Sequence, residues 1–122
     1  MARPGRPGPG TRRLVLTIAA ASSLALGACG APAAEPRPPV THTVRMSGTS
    51  FVPAELTVAV GDHVRWVNED YFPHTATSAD RFDSGTIGAS GSWTYTAAEA
   101  GTFDYVCSFH PTMTGTLLVR GD

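Results

Sequence analysis

"FDYVCSFHPTMTG", Phe103 to Gly115, is the stretch on which both the fold and the chemistry of this chain turn. Its first half alternates. Phe103, Tyr105 and Cys107 occupy every second position, and a β-strand puts such positions on one face. Cys107 is therefore expected to face inward at the end of a strand, where the chain enters a loop. His110 and Met113 follow at three-residue spacing on that loop, which Pro111 stiffens by fixing its own φ. A loop of this length can return thiol, imidazole and thioether to one point.

The same alternation recurs on the N-terminal side. "THTVRM" (41–46), "LTVAV" (56–60), "HVRWVN" (63–68), "HTATS" (74–78) and "GSWTYT" (91–96) read as strands, as do "TFDYVC" (102–107) and "GTLLVR" (115–120). Gly61-Asp62 is a turn signal. No segment of this region shows a helical apolar period. Short strands split by Gly, Pro and Asp predict an all-β sandwich or barrel. Phe51, Trp66, Trp93, Phe103 and Leu117 are the expected core. His42 and His63 lie on the polar alternates and are expected at the surface.

The chain is 122 residues long, enough for one modest domain. Residues 1–28 read as a signal peptide. Arg3, Arg6, Arg12 and Arg13 come first, and Leu14 to Ala28 follow as an uncharged, mostly apolar run. "TRRLVL" resembles a twin-arginine export signal. "LGAC", Leu26 to Cys29, resembles a bacterial lipobox, which implies an acyl anchor on Cys29. The protein is then periplasmic or held at the outer face of the bacterial membrane. Residues 29–40 are rich in Pro and Ala and read as a semi-rigid linker, leaving a domain over 41–122.

Charge changes sign at the expected cleavage point. Residues 1–28 carry +4 and residues 29–122 carry −5, and the chain has no lysine. An acidic domain of this kind argues against nucleic acid binding, which needs basic patches. With Cys29 acylated, Cys107 has no cysteine partner in an oxidising compartment, where a bare thiol is a liability. A metal ligand is one good reason to keep it.

Thiolate, imidazole and thioether are soft donors suited to copper, and a His₂Cys set with a weak axial Met is the pattern of electron-transfer sites. Zinc accepts Cys and His, but a thioether is unattractive to it. The second histidine must come from His42, His63 or His74. His74 lies in "YFPHTATS", where Pro73 rigidifies the approach and aromatic residues supply a dry surround. The competing reading is a sandwich in which Cys107, His110 and Met113 are simply packed.

Over residues 42–120 the chain resembles the cupredoxins, and most closely their plastocyanin and amicyanin group. "FVPAELTVAVGDHVRWVNEDYFPHTATS" is similar to the family's first half and "FDYVCSFHPTMTGTLLV" to its second. The resemblance implies a Greek-key β-sandwich or barrel holding one Cu(I)/Cu(II) ion on His74, Cys107, His110 and Met113. It implies supporting positions at Asn68, Pro73, Thr75, Ser108, Phe109 and Pro111. The short spacing between Cys107, His110 and Met113 is similar to that of amicyanin. One departure is Thr75, where many members have an Asn bracing the ligand loops; its hydroxyl is expected to bond Ser108 or its backbone.

The resemblance further implies a monomer that passes single electrons between extracytoplasmic redox partners. These would dock near His110, on a patch made by Phe72, Pro73, Phe109 and Pro111. A copper-binding module for storage, delivery or resistance is the alternative use of the same ligands. An enzyme is not expected, because catalytic relatives take extra copper ligands from further domains.

Overall fold

Alternating β-branched and aromatic residues build nine strands among the residues that the computed structural model describes, which are 2–5, 8–11, 27 and 36–121. They are β1 (Thr41–Ser47), β2 (Ser50–Val52), β3 (Glu55–Ala59), β4 (His63–Asn68) and β5 (Thr77–Ser78). β6 (Phe82–Asp83), β7 (Ser92–Thr96), β8 (Gly101–Cys107) and β9 (His110–Arg120) complete them. The chain divides into two compact units, Met1–Glu35 and Pro36–Asp122, and all nine strands belong to the second. The expected twin-arginine pair and Cys29 lie outside the described residues, as do most of the expected signal peptide and of the lipobox. Among the described residues no helix is long and apolar enough to cross a membrane.

Two sheets form. One has the order β2-β1-β4-β7 and the other β3-β9-β8-β5-β6. β1 pairs with β4 in parallel, and so does β3 with β9; the remaining pairs are antiparallel. The chain crosses between the sheets after β2, β3, β4, β6 and β7, and the strands enclose one core. The expected all-β sandwich is the observed fold.

Trp66 is fully buried at the middle of that core. Its ring lies 5.4 Å from Phe82, 5.5 Å from Trp93 and 5.4 Å, edge-on, from Tyr105. Phe51, Phe103 and Leu117 are buried as expected, whereas Trp93 is only partly buried, packed on the core's margin. Each fully buried aliphatic side chain, such as Val44 or Val64, contributes roughly 1.5–3 kcal/mol. Gly115 lies against Tyr105, where a Cβ would run into the phenol ring.

Three local expectations need correction. "HTATS" is not one strand: β5 covers only Thr77–Ser78, and His74 instead forms an isolated bridge with Ile87. β2 and β6 went unread because strands this short carry too little alternation to register. The last strand begins at His110 rather than Gly115, so His110 and Met113 lie on β9 and not on a free loop. The register steps from Val106↔Thr114 to Cys107↔His110, leaving Pro111, Thr112 and Met113 outside the ladder. Proline, which has no N–H to donate, is tolerated at such an irregularity.

His42 and His63 are half-buried rather than free at the surface. His63 Nδ1 lies 2.9 Å from Thr96 Oγ1. His42 Nε2 lies 2.9 Å from the buried Asp62 carboxylate, which also takes the Arg37 guanidinium at 2.9 Å. The backbone N–H groups of Val40 and Ala59 donate to it as well. This carboxyl is held far below the usual range, first by Arg37 and then by Val40 N–H, with burial opposing them.

Candidate metal centre

β4 and β8 deliver the two halves of the site to one end of the sandwich. Beyond β4, the side chain of Asn68 folds the following loop. Its Oδ1 accepts the Asp70 N–H at 2.9 Å, and its Nδ2 donates to the carbonyls of Phe72 at 2.8 Å and Ile87 at 3.0 Å. Asn68 is 1% exposed, so these bonds are shielded from water. The loop returns at Pro73, and His74 exchanges backbone hydrogen bonds with Ile87. The imidazole of His74 is thereby fixed inside, fully buried.

From the other sheet, alternation on β8 holds as expected: Phe103, Tyr105 and Cys107 are all buried. Ser108 and Phe109 make a two-residue turn, and His110 pairs back with Cys107. Cys107 Sγ then lies 3.6 Å from His74 Nδ1 and 3.6 Å from His110 Nδ1. The three donor atoms fall within 4.8 Å of one another. Met113 is buried on the same strand as His110, 2% exposed. Among the described residues this is the only such group of His, Cys, Asp or Glu.

These separations suit a metal ion. With metal–sulfur and metal–nitrogen lengths of about 2.3 and about 2.0 Å, a trigonal angle of about 120° sets the donors about 3.7 Å apart. The donor set of two imidazoles and a thiolate, with the Met113 thioether buried on the same strand as His110, fits one copper ion.

Thr75 joins the two halves. Its N–H donates to Cys107 Sγ at 3.4 Å, and its Oγ1 accepts the Ser108 N–H at 2.8 Å. The shorter side chain thus bonds the backbone beside the cysteine. Its hydroxyl also lies 3.0 Å from Thr77 Oγ1 and 3.2 Å from Ser108 Oγ.

His110 is partly exposed and has apolar neighbours. Tyr71 is 99% exposed, Phe72 43% and Phe109 51%, and Pro73 and Pro111 are exposed too. The Phe72 ring centre lies 5.6 Å from that of His110 and 5.2 Å from that of His74. Tyr71 was not singled out in the sequence, although it adjoins Phe72.

Asp70 is the polar neighbour that sequence reasoning did not place. Its Oδ2 accepts from His74 Nε2 at 2.8 Å. Burial is the largest influence on its acidity and pushes it up, but hydrogen bonds from Thr49 N–H, His74 and Gly48 N–H prevail, and the carboxyl sits below its ordinary value. An acidic residue four positions before a candidate ligand was the available signal.

The family pattern described as a cupredoxin-like domain matches residues 15–119. Amicyanin of Paracoccus denitrificans is 36% identical over 76 residues, which are 54% of this chain and 55% of that protein. The chain thus spans little more than half of that relative. Amicyanin of Paracoccus versutus is 29% identical over 122 residues, covering 84% of this chain and 92% of the relative. The solved Cu(I) form of an amicyanin mutant superposes with a TM-score of 0.63 at 29% identity, over 71% of this chain and 88% of that one. A copper-containing nitrite reductase from Thermus scotoductus gives 0.61 at 35% identity, over 75% of this chain but 24% of the reductase. With its two sheets and its His-Cys-His cluster, the chain belongs to the cupredoxin-like family and is amicyanin-like.

Proposed function

We propose that this protein is a type 1 blue copper protein that carries single electrons between extracytoplasmic redox partners. The observation that carries the proposal is the convergence of His74, Cys107 and His110, with Met113 buried on the same strand as His110. In this reading His74, Cys107 and His110 would hold the ion, and Met113 would be a weaker fourth donor. Bound copper supplies a one-electron couple. The chain keeps the donors in place: Thr75 ties Ser108 to the His74 loop, Asn68 folds that loop, and the sandwich packs Cys107 and Met113 away from water. Little has to move when the charge changes.

The partly exposed His110 is then the electron port. Exposed Phe72, whose ring lies 5.6 Å from that of His110, and the exposed Phe109 and Pro111 that flank His110 in the chain suit a brief encounter of small area with a redox protein. No catalytic role is assigned, since the match to the nitrite reductase covers only 24% of that longer chain. Export by the N-terminal segment, with a lipid on Cys29 anchoring a monomer, completes the proposal on sequence grounds.

The test is the visible and EPR spectrum of the purified protein with one equivalent of Cu(II). Intense blue with a narrow copper hyperfine splitting is expected. A colourless sample that forms Cys107-linked dimers would defeat the proposal. Reversible one-electron cycling with slow copper exchange separates an electron carrier from a module that hands over Cu(I).

A further inference from the structure

We propose that Asp70 is the positioning residue for the His74 imidazole and that the turn between β1 and β2 aims it. The role of the pair rests on the copper reading above. Asp70 bridges two parts of the chain. Its Oδ2 accepts from His74 Nε2 at 2.8 Å and from Thr49 N–H at 3.0 Å, and its Oδ1 accepts from Gly48 N–H at 2.8 Å. Gly48 and Thr49 form the two-residue hairpin loop, with φ of 61° and 58°. Positive φ at both positions is what a two-residue loop of type I′ requires. Glycine adopts it freely, but a β-branched threonine rarely does. That conformation turns two successive N–H groups onto one carboxylate, and backbone held in a sparsely populated region tends to mark a functional constraint.

The chemistry requires a carboxylate. Two oxygens accept three N–H donors. An amide at this position would turn its own NH₂ toward one of them. With Nε2–H donating to Asp70, the neutral ring keeps Nδ1 unprotonated, and Nδ1 is the atom that lies 3.6 Å from Cys107 Sγ. Hydrogen bonding at one ring nitrogen sets what the other can bind. His110 differs. Among the described residues its ring meets Phe72 and His74 and hydrogen-bonds no carboxylate. Of the two imidazoles, the buried one is therefore the one hydrogen-bonded to this negative charge. The charge favours the more highly charged ion, Cu(II), and so lowers the reduction potential.

Two measurements test this. In the copper-free protein, ¹⁵N NMR of the imidazoles reads the His74 tautomer directly and needs no variant. An Nε2–H tautomer with a slowly exchanging proton supports the role, as does its loss in Asp70→Ala. An Nδ1–H tautomer, or a rapidly exchanging Nε2 proton, overturns it. In the copper-loaded protein, Asp70→Asn should weaken Cu(II) binding relative to Cu(I) about tenfold, an upward shift of about 59 mV. Glu55→Gln, which removes an exposed carboxylate elsewhere, should leave the potential unchanged. A blue Asp70→Asn protein with the parent potential overturns the positioning role and leaves the copper reading standing. If the parent protein never turns blue, the copper reading fails, and the tautomer still decides whether Asp70 positions His74.

Discussion

Cys107 is where residue chemistry and packing meet. Its side chain is fully buried and carries no formal charge as a thiol, yet it faces two imidazoles and the Thr75 N–H. Cys107→Ser is expected to remove the blue absorption altogether, because the thiolate-to-copper transition is its source; a variant that stays blue refutes the ligand assignment. Met113→Gln should retain copper and lower its potential, as exchange of an axial donor does. An unchanged potential, read by spectroelectrochemistry, would mean that Met113 is not axial. Cys107, His110 and Met113 stood out as candidates in the sequence because their donors suit copper and their spacing is tight, whereas His74 was one of three open histidines that Pro73, the adjoining aromatics and the family resemblance singled out. Asp70 was not, because an acidic residue on a loop is usually solvated and only folding brings it to His74 Nε2.

At the scale of elements, the decisive feature is the β8–β9 hairpin. Alternation along β8 dictated that Cys107 faces inward, and the burial of Phe103, Tyr105 and Cys107 follows it. Tyr105 is packed closely enough that burial pushes its phenol up to about 12. Gly115, across the ladder from it, leaves room for that ring. Gly115→Ala is therefore expected to cost about 1–3 kcal/mol through overpacking, read as a lower denaturation midpoint. A variant as stable as the parent would show that the hairpin can relax. The early start of β9 was not legible, because the three residues outside the ladder, Pro111, Thr112 and Met113, break the alternation that marks a strand.

Across the domain, β4 runs from His63, next to Asp62, at one end to Asn68 at the end that holds the candidate metal centre. Asp62 ties the segment entering the domain to the turn before β4, through Arg37, Val40 and His42. Its carboxyl is depressed in the folded state, so its contribution is fully present above the ordinary carboxylate range and is lost as pH falls. Thermal stability should decline as pH drops below about 4, and Asp62→Asn should both lower stability at neutral pH and flatten that decline. An acid profile identical to the parent's would assign the decline to other carboxylates. Cys29→Ala should leave copper binding intact and release the protein from membranes in fractionation; a membrane-bound variant would refute the lipobox reading.

Sequence alone determined the class of the fold, the inward face of β8 and the donors that suit copper. Period-two alternation and donor chemistry are local properties, present before the chain folds. Tertiary structure alone decided that the Nδ1 atoms of His74 and His110 both meet Cys107 Sγ, and that Asp70 joins the β1–β2 turn to His74; it also showed the expected bond of the Thr75 hydroxyl to be made to the Ser108 N–H. Those contacts link residues from different strands and sheets. Their distances depend on the register and packing of the strands, and no local pattern in the chain encodes either.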